Sequence, residues 1–173
     1  GESYISNEGS RIYVNELAYD MGFRNGDHIL SFDDYKPENF AMLQADLVRN
    51  DVSKATVLRQ TDTVDLYIDQ NRIKDVLQTP GMFDLALPFV IGSVPEESVN
   101  HGLDLKSGDR VIKIDGKEVE FIQDSRPLLA ANAGHPSEIT ILRDADTLDL
   151  AVQVDSAGRI GVILKQPEIQ TKE

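Results

Sequence analysis

The chain spells the same pattern twice, and that repeat constrains it more than any other feature. Gly22-Phe23-Arg24-Asn25-Gly26-Asp27-His28-Ile29-Leu30-Ser31-Phe32-Asp33-Asp34 returns as Gly102-Leu103, then Lys106-Ser107-Gly108-Asp109-Arg110-Val111-Ile112-Lys113-Ile114-Asp115-Gly116. Farther on, Thr56-Val57-Leu58-Arg59-Gln60-Thr61-Asp62-Thr63-Val64-Asp65-Leu66 returns as Thr140-Ile141-Leu142-Arg143-Asp144-Ala145-Asp146-Thr147-Leu148-Asp149-Leu150, with seven of eleven positions identical. Kept order and spacing mean two copies of one folding unit. The 173 residues suit two modules of roughly 80 to 90 residues, each able to bury a small core. The boundaries expected are 1–85, with a linker from about residue 69, and 86–173.

Within each copy the Gly-Asp pair marks a tight turn, because glycine tolerates positive φ and aspartate bonds nearby amides. Short apolar strands follow, Ile29 to Phe32 and Val111 to Ile114, and then the turns Asp33-Asp34 and Asp115-Gly116. Lys36-Pro37-Glu38 starts a helix whose Phe40, Leu43 and Leu47 share one face. The second copy has Asp124 or Ser125 as helix cap before Leu128-Leu129-Ala130-Ala131, with Gly134 and Pro136 as the stop. The Thr-(Val/Ile)-Leu-Arg strands then turn back into alternating strands, Val64 to Ile68 and Leu148 to Val152. A strand and a short helical turn precede each Gly-Asp turn: Ile12 to Val14 with Glu16 to Met21, and Phe89 to Ile91 with Glu96 to His101. Met82 to Leu87 is the expected last strand of the first copy, Ile160 to Leu164 that of the second. Residues 69–88 read as the join between copies, and 165–173 as a frayed polar end. The fold class expected is mainly β with short helices (α+β), in two small, partly open barrel or sandwich modules.

Thirty acidic against 17 basic residues give a net charge of −13, which repels nucleic acid and anionic membrane surfaces. No cysteine is present, so disulfides, thiolate metal sites and cysteine nucleophiles are excluded together. His28, His101 and His135 are isolated and match no metal-ligand spacing. The adjacent carboxylates Asp33-Asp34 and Glu96-Glu97 do not converge as an acid/base pair must, and Ser98 and Ser125 lack a nucleophile-elbow context. No catalytic or metal-binding residue, and no cofactor, is expected in this chain. The longest apolar stretch, Phe83 to Val94, is too short to span a bilayer. The abrupt start at Gly1-Glu2-Ser3 is what a fragment or a processed form would show.

Val94-Pro95 through Lys117 resembles the centre of a bacterial PDZ domain, an apolar strand and short helical turn before Gly-Asp-Arg-Val-Ile-Lys-Ile-Asp-Gly-Lys. The first copy departs from it at His28 and at Asp34, which stands where the turn glycine is usual. Because each copy opens with the strand before the Gly-Asp turn, and the second ends on Arg159-Ile160-Gly161-Val162-Ile163, the chain resembles the circularly permuted tandem PDZ region of RseP-type site-2 membrane zinc metalloproteases. The resemblance implies a periplasmic regulatory region, tethered through membrane helices of the parent protein, that filters substrates such as a transmembrane anti-sigma factor or remnant signal peptides. It places zinc in the parent's catalytic domain, outside this chain. The alternatives are the PDZ pair of an HtrA-type periplasmic serine protease and a non-enzymatic PDZ scaffold.

A PDZ groove takes an extended peptide as an added strand. The resemblance therefore implies a groove between Ile160, Gly161, Val162 and Ile163 and a helix carrying Leu128, Leu129 and Ala131. The first module's groove would lie between Phe40, Leu43, Leu47 and Met82, Phe83, Leu85. The same helix faces also read as plain core. A bulky residue at Gly161 is expected to weaken binding without unfolding the module.

Overall fold

The computed structural model describes residues 3–167 and 170–173 and divides into two units, Gly1–Ala86 with Glu168–Glu173, and Leu87–Pro167. In the first unit, β1 (Tyr4–Ile5), β2 (Ile12–Val14) and α1 (Glu16–Asp20) precede β3 (His28–Phe32). Asn15 caps α1 by accepting the Ala18 amide. A 3₁₀ turn, Phe40–Met42, runs into α2 (Leu43–Arg49), and Asn39 caps it through the Ala41 amide. The hairpin β4 (Lys54–Arg59) and β5 (Asp62–Tyr67) follows, then a 3₁₀ turn Gln70–Arg72, α3 (Ile73–Gln78) and β6 (Phe83–Leu85). The strands form a three-stranded sheet β3-β4-β5 and a pair β2-β6.

The second unit repeats this plan. It contains β7 (Ile91–Ser93), β8 (Arg110–Ile114), β9 (Lys117–Glu118), α4 (Ile122–Ala131), β10 (Pro136–Arg143), β11 (Asp146–Gln153) and β12 (Ile163–Leu164). Its sheets are β11-β10-β8-β9 and the pair β12-β7. The fold is mainly β with short helices, in two modules in which no described sheet closes on itself. In both units the strand before the Gly-Asp turn pairs with the last strand of the module: Ile12 faces Leu85, and Ile91 faces Leu164.

Each unit has its own core. Phe23, Ile29, Phe32, Leu43, Leu47, Val57 and Met82 are fully buried in the first, and Ile91, Ile114, Ile139, Ile141 and Val152 in the second. Burying one such side chain stabilises by about 1.5–3 kcal/mol, and strands that alternate inward and outward supply several at once.

Three expectations need correction. Residues 69–88 are not a plain join: the first unit runs to Ala86, and α3 buries Val76 in its core. The chain end is not frayed throughout, because β13 (Thr171–Lys172) pairs antiparallel with β1 and the Ser6 amide bonds Gln170 O. Of Ile160 to Leu164 only Ile163–Leu164 is a strand, since Gly161 at φ +68° leaves the extended region.

Candidate functional site

The second unit carries an open cleft of about 990 Å³ between α4 and the segment that leads into β12. One wall is the face of α4 made by Ile122, Ser125, Arg126, Leu129 and Ala130, at spacings that stack them along one side of a helix. The other is Ala157 to Val162 with Leu164, and the Pro95 to Val99 turn closes one end. The floor is made by buried groups, among them Phe89, Leu129 and Ile160. Two apolar side chains at the cleft stay in water, Val99 at 71 % exposure and Leu164 at 41 %. Exposed apolar surface beside a concave site marks a place for a partner.

Local chemistry shapes the second wall. Asp155 Oδ1 accepts the amides of Ala157 and Arg159, both at 2.9 Å, which folds the loop tightly. Asn100, itself buried, donates to the carbonyls of Ile160 and Gln153 at 2.8 Å and pins the loop to β11. Among the described residues the amides of Gly161 and Val162 donate to no protein acceptor. Backbone donors left free beside a cleft are what an added strand, or an anion, needs.

The structure places Ile160, Gly161 and Val162 on the cleft, whereas Ile163 points away and is exposed. Leu128 and Ala131 lie on other faces of α4, and their neighbours Ile122, Ser125, Arg126 and Ala130 line the cleft with Leu129. The helix starts at Ile122, not after Asp124 or Ser125, and Leu128 and Ala131 are turned about 100° and 200° from Leu129. Asp124 reaches back to the Glu120 and Phe121 amides (3.1 and 2.9 Å), and Ser125 Oγ donates to Ile122 O at 2.6 Å. Reading Asp124 as an acceptor for the amides before it, rather than as the cap itself, would have found this face.

Gly161 also differs from expectation. A Cβ there would stand 2.5 Å from Ser98 Oγ, at a φ that L-residues rarely adopt, so a larger residue strains the loop itself.

In the first unit Phe40, Leu43 and Leu47 are core, and Phe83 meets Phe23 edge-to-face at 4.9 Å, while Leu85 packs against the same core. A shift of 82 residues superposes the helices in sequence: Phe40 on Ile122, and the C-caps Asn50 on Asn132. It carries the cleft face of α4 onto Phe40, Leu43, Gln44, Leu47 and Val48. Gln44, in the place of Arg126, donates to Val76 O at 3.0 Å and Thr79 O at 2.7 Å and accepts the Met82 amide at 3.0 Å. Here α3 and the chain after it lie on the helix.

The repeated Gly-Asp and Leu-Arg motifs meet in space. Asp27 binds Arg59 at 2.9 Å through both oxygens, and Asp109 binds Arg143 at 2.9 and 2.8 Å. Each aspartate is buried and also accepts an amide, from Arg24 or Lys106. The Arg143 hydrogen bond holds the Asp109 carboxyl below the usual range, assisted by the Lys106 amide and opposed by burial. These pairs brace each turn and lie apart from the cleft. Among the described residues no group of three or more His, Cys, Asp or Glu side chains gathers to hold a metal ion. No described helix is long and apolar enough to cross a membrane.

No family model matches the chain, and no curated protein matches it significantly. Among solved structures it is similar to the PDZ domain of the SdrC-like protein from Listeria innocua, at 19 % identity and TM-score 0.40, covering 48 % of this chain and 99 % of that one. The PDZ domain of the SdrC-like protein from Listeria monocytogenes aligns at 19 % identity and TM-score 0.38, over 44 % and 86 %. GtR34C from Geobacillus thermodenitrificans aligns at 21 % identity and TM-score 0.36, over 40 % and 79 %.

Proposed function

We propose that the second module binds extended peptide or protein segments in its cleft, and that the tandem regulates substrate access to a membrane-embedded zinc metalloprotease of the site-2 type. The observation that carries the binding reading is the open, apolar-floored cleft with the unpartnered Gly161 and Val162 amides on its rim. A peptide backbone satisfies such donors while its side chains enter the space beside Leu129 and Ile122. Charge supports this too: Arg126 and Arg159 balance Glu97 and Asp155 around the cleft, so a ligand carboxylate is not repelled there as it is by the −13 chain at large.

The protease assignment is supported by element order. In each repeat the strand before the Gly-Asp turn pairs with the repeat's own closing strand, β2 with β6 and β7 with β12, as in the permuted order of the region this chain resembles. On that reading the chain supplies no catalytic group, the zinc belongs to the parent's catalytic domain, and the modules act outside the cytoplasm on segments of a transmembrane anti-sigma factor or remnant signal peptides.

Titration of the chain with a library of extended peptides tests the first part. Ala130→Phe, at an exposed cleft position, should weaken binding about tenfold or more with the unfolding midpoint unchanged. Equal affinities in the two proteins would remove the cleft from the function. For the second part, the same substitution in the full-length parent should change the rate of substrate cleavage in the membrane. A parent carrying Gly-x-Ser-x-Gly instead of His-Glu-x-x-His would refute the metalloprotease assignment outright.

A further inference from the structure

The two modules differ where the repeat predicts them to be alike. Sixteen residues separate Ile68 from Leu85, and eleven separate the corresponding Val152 from Leu164. The longer stretch folds into the Gln70–Arg72 turn and α3. Val76 on α3 is buried and Ile73 packs against the core, whereas Leu77 faces water. Gln44, at the helix position that lines the open cleft in the second module, clasps Val76, Thr79 and Met82 through three hydrogen bonds. A six-residue helix has almost no stability alone, so α3 exists because it is docked.

We propose that Gln70–Met82 is a tethered ligand lying in the first module's groove. The surface beneath it is a second binding site, for a short amphipathic helix presenting two apolar side chains three residues apart. Identifying that surface as a groove rests on the peptide-binding reading of the second module; the docking of α3 does not. In this arrangement the chain offers one open site and one that opens only when its own segment is displaced. An incoming helix must outcompete an occupant held at high effective concentration.

Hydrogen exchange on the whole chain tests this, with a synthetic peptide of the Gln70–Met82 sequence as probe. In the parent sequence the Met82 amide should exchange slowly and the peptide should not bind α2. In Val76→Asp, residues 73–82 should exchange at least about tenfold faster while β3 to β5 stay protected. The added peptide should then bind one to one and slow exchange in α2. If Val76→Asp unfolds the module, Val76→Ala, which weakens the segment's own anchor and leaves the α2 surface intact, is read by the same signals. Release of α3 without peptide binding at α2 would overturn the proposal, as would protection appearing only at α4. Failure of Ala130→Phe to weaken peptide binding bears on the second module's cleft and leaves this result unaffected.

Discussion

Asp27 and Asp109 show why the repeat keeps what it keeps. An aspartate two residues into the turn and an arginine more than thirty residues later are one ion pair, desolvated at the carboxylate and half-open at the guanidinium. Asp109→Asn removes the buried carboxylate and leaves the partly exposed Arg143 and the Lys106 amide without their acceptor, so it should cost the second module about 1–3 kcal/mol in denaturant unfolding at neutral pH. The folded pKa of Asp109 lies below its unfolded value of about 3.9, so this stabilisation is fully present above that value. It is lost as pH falls through the depressed folded value. Below about pH 4 the Asn variant should therefore show a shallower decline in stability than the parent sequence. At Gly161 both strain and collision oppose a side chain: Gly161→Ala should destabilise by about 1–2 kcal/mol. Adding Ser98→Gly should recover the part due to the Ser98 contact, and a double-mutant cycle measures it.

At the scale of elements, the helix and the segment beside it decide what each module can do. The β-strands are legible because period-two alternation marks them: the strand expected over Val64 to Ile68 is found at Asp62–Tyr67, after a turn with Gln60 at φ +56°. The helix face was less so. Leu128 and Ala131 stand about 100° and 200° round α4 from Leu129, so apolar character alone does not say which of these neighbours borders the cleft. Nothing in Ile73 to Gln78 signals a docked helix, for its charged and apolar residues do not make a strong stripe; its shape comes from Gln44 and from burial of Val76. A free peptide covering Gln70–Met82 should accordingly show no helix by circular dichroism in water. A helical spectrum would mean that local propensity, not docking, forms α3.

For the whole molecule, two cores mean two units of stability. Leu47→Ala should destabilise the first unit by about 2–5 kcal/mol and Ile139→Val the second by about 0.5–1.5 kcal/mol, each raising amide exchange chiefly in its own unit. Equal loosening of both by either change would contradict separate cores. The chain end adds a different tie: β13 returns to β1, and Lys172 lies 3.8 Å from Glu8, so Thr171 and Lys172 belong to the first unit despite following the second in sequence.

Local chemistry and repetition determined the duplicated unit, its Gly-Asp turns, its alternating strands and the mainly β class, because turn geometry and inward-outward alternation act over a few residues and leave marks in the chain. The tertiary structure decided that the face of α4 borders an open cleft while the matching face of α2 lies under α3, that the cleft face starts at Ile122, and that the tail pairs with β1. Those outcomes depend on which surfaces meet across tens of residues, and a contact such as Gln44 with Met82 has no signature in either local sequence.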